Sequence, residues 1–155
     1  MRALTIILLA AGTVLPAGDP AGFHLWTHSD LLAAEKKLAP QMDAHKYKSD
    51  TLVTAGNHRF VAVHREATGE AEYHEKEADV MFIQSGTATL VYGGTMVDAR
   101  TTAPGELRGP SIQGGMERKM GPGDVATIPA KIPHQMKLDP GKEQEFNYLV
   151  VKVTE

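Results

Sequence analysis

From residue 58 onward the chain is a succession of short runs in which apolar and polar residues alternate, each closed within a few residues by Gly or Pro. His58 to Arg65 has strand composition, with Phe60, Ala62 and His64 on one face and Val61 and Val63 on the other. Further strands are predicted at Val80 to Gln84, Thr87 to Tyr92, Thr95 to Val97, Met116 to Met120, Val125 to Pro129, from Met136 onward, and at Phe146 to Val153. In the last of these, Tyr148, Val150 and Lys152 alternate with Leu149, Val151 and Val153. Gly93-Gly94 lies between two β-rich runs and predicts a hairpin in which Thr95 to Val97 pairs back. Asp98 to Gly115 shows no periodicity and reads as a long loop, a lid or an oligomer contact. Arg100 and Arg108 in it are either anion-binding groups or solvated basic residues.

The pattern before residue 57 is different. Leu31, Ala34, Leu38 and Met42 recur at helical spacing, Thr27 and Ser29 offer N-caps, and Pro40 should end the helix. Residues 22–56 are therefore read as an N-terminal helical arm, with His24, His28 and His45 as surface or packing residues. Ahead of it, Arg2, an apolar run from Ala3 to Leu15 and a small, turn-forming segment have the layout of a secretory signal peptide over 1–21. That run is shorter than the ~20 residues of a spanning helix. The alternative is a buried N-terminal element of a cytosolic protein. Cleavage between residues 12 and 22 is expected, giving a periplasmic or secreted protein with no membrane association.

The chain's 155 residues suit one domain, here residues 57–155 behind the arm. A net charge of -3 without a basic stripe argues against nucleic acid. The absence of Cys excludes disulfides, thiolate metal sites and a lipid-bearing Cys anchor. Any metal must use nitrogen and oxygen donors.

The candidate chemistry lies in Glu72-Tyr73-His74-Glu75-Lys76-Glu77-Ala78-Asp79 and in Pro129-Ala130-Lys131-Ile132-Pro133-His134. Strand parity puts Glu72 and His74 on one face, and a bulge or small loop at Glu75 to Ala78 would return Asp79 to it, with Met81 and Ile83 walling the same pocket. Convergent charges inside a small domain need a partner, and a divalent cation is one. The competing reading is a solvated charged turn.

These segments resemble the two motifs of the cupin superfamily. The first motif runs Gly, His-x-His, Glu, Gly. Here Gly69, Glu72, His74, Asp79 and Gly86 occupy those places, with Glu72 where the first His stands and Asp79 where the Glu stands. The second runs Gly, Pro-x-Gly, His, Asn. Here it reads Gly123, Pro129-Ala130-Lys131, His134 and Leu138. The chain is also similar to a group of exported bacterial single-cupin proteins. The resemblance covers residues 58–153 and implies an all-β, single-domain cupin-type β-barrel (a double-stranded β-helix, or jelly roll). It further implies a metal held by Glu72, His74, Asp79 and His134, a small-molecule ligand or substrate, and a homodimer. Two imidazoles and two carboxylates suit Mn, Fe, Ni or Zn.

Three functions are compatible with this set. One is a metal-dependent enzyme, of dioxygenase, isomerase or lyase type, acting on a small oxygenated molecule. Another is a non-catalytic metal- or small-ligand-binding cupin. The third is a metal-free cupin in which Glu72 and Asp79 pair with Lys76 or Lys131.

Overall fold

The computed structural model describes residues 18–139 and 144–155. Most of residues 1–21, where a signal segment is expected, therefore lies outside the described residues. Among the described residues, thirteen strands and one α-helix are formed. They are α1 (His28–Leu38), β1 (Tyr47–Ala55), β2 (His58–Arg65), β3 (Ala71–His74), β4 (Glu77–Ser85), β5 (Ala88–Tyr92), β6 (Thr95–Val97), β7 (Arg100–Ala103), β8 (Glu106–Gly109), β9 (Ser111–Gln113), β10 (Met116–Met120), β11 (Val125–Ile128), β12 (His134–Lys137) and β13 (Phe146–Thr154).

The helix begins where its cap does. Thr27 and Asp30 form a reciprocal capping box, each side chain meeting the other's backbone N–H. Asp30 also places negative charge on the helix N-terminus. A short 3₁₀ turn, Ala39–Gln41, follows it at Pro40. The arm is shorter than its sequence implied, because residues 47–55 are strand β1. That run alternates Tyr47, Ser49, Thr51 with Lys48, Asp50, and its pairing with β2 over most of its length outweighs any helical tendency. Helix α1 packs on the outer face of β2, with Glu35 and Leu38 buried beneath it, while Trp26 packs against Phe60 at a tilt of 40°, with ring centres 5.3 Å apart.

Antiparallel pairing builds two main sheets, β1-β2-β13-β4-β11 and β10-β5-β12-β3-β8-β7, with a small β6-β9 ribbon. Between the main sheets lies a core of Val61, Val63, Met81, Ile83, Leu90, Met136, Phe146, Tyr148 and Val150. Each such side chain contributes roughly 1.5–3 kcal/mol when withdrawn from water. Gly86 turns the chain from β4 to β5 at φ +76°, and a Cβ there would collide with the Glu145 carbonyl oxygen. Both the conformation and the close approach require glycine.

Two sequence expectations change here. Thr95 to Val97 does not return onto β5; Gly93 and Gly94, both at positive φ, turn the chain away, and β6 pairs with β9 instead. The flanks of β5 are taken by β10 and β12. The stretch from Asp98 to Gly115 is likewise three short strands rather than a loop. Its solvent-facing residues hide the alternation, yet β8 pairs along the whole of β3.

Glu35 sits in an apolar setting against β2. Burial pushes its carboxyl up from 4.5 to about 7, partly offset by His64. A raised acid stabilises the fold fully below the unfolded value and loses that contribution as pH rises through about 7. Glu35→Gln should therefore remove a loss of roughly 2 kcal/mol between pH 5 and pH 8, measured by denaturant titration at both values.

Candidate metal centre

Strand register assembles the site as two rows. On one sheet Glu72 of β3 lies opposite Arg108 of β8 on one side and His134 of β12 on the other. The neighbouring pair on that sheet is His74 and Glu106. On the other sheet Lys152 of β13 lies between Arg59 of β2 and Asp79 of β4. The chain passes from the first sheet to the second through only Glu75 and Lys76, between β3 and β4. That crossing turns Asp79 toward Glu72 and His74, so the expected small excursion is a change of sheet.

The second segment is tied to the first by its backbone. Lys131 N–H donates to the His74 carbonyl at 2.8 Å, and Lys131 holds φ +68°. This is the position at which the cupin motif has glycine. The left-handed conformation is retained here by a residue that adopts it only under strain.

All four sequence-nominated residues meet inside the barrel. His74 Nε2 lies 3.5 Å from Glu72 Oε2 and 3.7 Å from Asp79 Oδ2. His134 Nε2 lies 3.5 Å from Asp79 Oδ2. His74, Asp79 and His134 are almost fully buried. His74 Nδ1–H donates to Glu106 at 2.6 Å, since an ionised carboxylate only accepts. His134 Nδ1–H donates to the Ile132 carbonyl at 3.0 Å. Both rings are thus oriented from behind, with Nε2 directed inward, as in metal-ligating histidines.

Lys152 enters this cluster and was not singled out from the sequence. Its Nζ donates to both oxygens of Asp79, at 2.7 and 2.9 Å, and to His74 Nε2 at 3.0 Å. The lysine partner of Asp79 is therefore Lys152, not Lys76 or Lys131. The signal was present in strand parity, because Lys152 shares a face with the buried Tyr148 and Val150. Glu106 gave no such signal, since its stretch read as loop; Arg108, one of the two arginines singled out in that stretch, lines the cavity. Arg100 is peripheral and pairs with Glu70 at 2.8 Å on the surface.

Charge balance sets the carboxylates. Burial alone would raise Glu72, but His74, Arg108, His134 and Lys152 hold it well below the usual carboxylate range. Burial opposes ionisation of Asp79 too, and His134 and Lys152 overcome it. Both are ionised at neutral pH.

The donor set fits a divalent ion. His134 Nε2 is buried and has no hydrogen-bond partner. Glu72, His74 and His134 each direct one donor atom within 4.8 Å of the others. A shell at about 2.1 Å spaces neighbouring donors by roughly 3–3.5 Å, close to the separations seen. A second grouping, His74 with Glu77 and Glu106, uses the nitrogen already bonded to Glu106 and is the poorer cage.

The cluster opens on a cavity of about 250 Å³ between the sheets. Its walls include Tyr47, Val61, Met81, Gln135 and Tyr148, and it holds Arg59, Arg65 and Arg108 as well as Lys152. A larger, more apolar groove of about 690 Å³ lies by β10 and β11 and contains none of the site residues.

No family model and no curated protein matches the sequence. Solved structures do match. The DMSP lyase DddQ of Ruegeria pomeroyi aligns at 19% identity over 71% of this chain and 48% of its own, with a TM-score of 0.50. This chain thus spans about half the length of that lyase. The protein TT1209 of Thermus thermophilus aligns at 16% identity over 77% and 92%, with a TM-score of 0.53. A predicted oxalate decarboxylase of Thermotoga maritima aligns at 14% identity over 70% and 81%, with a TM-score of 0.50. The fold is a cupin fold. Within this fold the first motif segment crosses from one sheet to the other and the second ends on the first sheet, so that Glu72, His74 and His134 face Asp79.

A buried pair broken on one side leaves an uncompensated charge, at a cost of about 3–5 kcal/mol. Asp79→Asn should therefore destabilise the chelator-treated protein by about that much. Asp79→Asn with Lys152→Met should recover most of the loss in the same urea titration.

Proposed function

We propose that this protein is an extracytoplasmic metal-binding cupin acting on a small oxygenated molecule in the cavity between its sheets. The observation that carries the metal is the His134 imidazole, whose Nε2 is buried, makes no hydrogen bond, lies 3.5 Å from Asp79 and groups with the donor atoms of Glu72 and His74. Glu72, His74, Asp79 and His134 would hold the ion, with Mn, Fe, Ni or Zn compatible with nitrogen and oxygen donors. Bound there, it would supply Lewis acidity toward a ligand oxygen. The chain's own groups would do the rest. Glu106 fixes the His74 ring, Val61 and Met81 keep part of the cavity wall apolar, and Tyr47 and Tyr148 bring hydroxyls to it. Enzymatic turnover of dioxygenase, isomerase or lyase type is the reading we favour over storage, because a walled cavity adjoins the donors. The leader-like residues 1–21 support export, and the cupin resemblance supports a homodimer.

Lys152 favours a second reading, in which its ammonium permanently takes the cation's place and the barrel binds a small ligand without metal. Titration calorimetry with Mn²⁺ and Zn²⁺ separates the two. The first reading predicts close to one equivalent of bound ion and a loss of about 100-fold or more in affinity for His134→Ala. Fewer than ~0.2 equivalents after reconstitution counts against it. Lys152→Met should tighten metal binding under the first reading, since an ion at that centre must displace the ammonium. Binding gained only in that variant supports the second reading.

A further inference from the structure

Four cationic side chains line the cavity, and three have an acidic partner. Arg59 pairs with Glu77 at 2.8 Å, Lys152 with Asp79 at 2.7 Å, and Arg108 with Glu106 at 3.3 Å and Glu72 at 3.6 Å. Arg65 is the exception. Among the described residues no carboxylate lies within 4.0 Å of its guanidinium. It is also the most deeply buried of the four, at 5% exposure, and its Nε has no hydrogen-bond partner.

The surroundings of Arg65 fix it in place without neutralising it. Its guanidinium lies over the Tyr47 ring, 4.7 Å from the centre, an attraction that leaves the charge intact. On another side it lies against Gly69, where any Cβ would collide with it. The Gln135 amide N–H groups donate to the Gly69 and Pro110 carbonyls and so cannot be turned toward a ligand beside Arg65. A guanidinium cannot lose its proton to escape the cost of burial, and Arg65 is balanced only by Glu72 from a distance and by the Tyr148 hydroxyl, so a carboxylate in direct contact would complete its partners.

We propose that Arg65 is the anchor of a carboxylate-binding subsite in the cavity that the metal donors share, flanked by the Tyr47 and Tyr148 rings. The cavity's volume of about 250 Å³ has room for roughly eight water-sized groups, so the ligand is a small organic acid. The fork of the guanidinium suits a carboxylate in bidentate fashion. This deepens the functional reading above, on which it rests for the nature of the substrate.

The test is titration of the full chain with malonate, using uncharged malonamide as the control, first after chelator treatment and then with Zn²⁺. The readout is the Arg65 Nε–H resonance together with the dissociation constant. Malonate should shift that resonance while malonamide does not, and Arg65→Gln should weaken malonate binding at least tenfold. Arg65→Lys, which keeps a buried cation but not the fork, should also weaken it and covers the case in which the Gln variant does not fold. Equal binding of malonate and malonamide, or unchanged malonate binding in the Lys variant, overturns the subsite. If chelator-treated protein binds malonate through Arg65 but no metal binds, the subsite stands and the metal reading falls. If metal binds but malonate leaves Arg65 unmoved, the reverse holds.

Discussion

Charge inside a small β-barrel must be balanced locally, and in this protein cross-strand register does the balancing. Glu72 has Arg108 and His134 on its flanking strands, and Asp79 has Lys152 on its own sheet. Ion pairs held on a ladder do not depend on loop conformation, because a one-residue slip would send every member of a row to the opposite face. The apolar residues beyond the rows, Val61, Met81 and Val150 among them, hold the two sheets together so that the rows meet. Site and core are thus consecutive layers of the same strands.

Much of this was legible in the sequence. The spacing of His74, Asp79, Gly86, Gly123, Pro129 and His134 announced both half-sites, and turn residues marked most strands of the barrel. The helix at Thr27 could be read from its cap and its apolar spacing. The strand that closes the arm could not, because Tyr47 to Ala55 has no strongly apolar face; its inward Ser49 and Thr51 line a polar cavity. The β7-β8 hairpin was invisible for a related reason. Its strands are short and mostly polar, and β7 is exposed throughout, so the evidence for it lies in its partner β3 and not in itself.

The residues missed at the site share one property. Lys152, Glu106 and Arg65 are charged groups on strands, where single-sequence reading assigns charge to the solvent face. Only the closure of the sheets shows which charged positions face inward. Parity with Tyr148 and Val150 would have exposed Lys152, and parity with Val61 and Val63 would have exposed Arg65. Both arguments required knowing that those apolar partners face the cavity rather than the outside.

One imidazole in this barrel works with both of its nitrogens. The inner one belongs to the donor cluster, and the outer one is gripped by a glutamate on a peripheral hairpin. The electron richness of the ring is therefore set from outside the cage. Lineages that reshaped that hairpin, through insertion, deletion or exchange of the glutamate for a neutral residue, would retune the centre while every donor stayed where it is. An outer hairpin of the barrel is in this sense a dial on its interior.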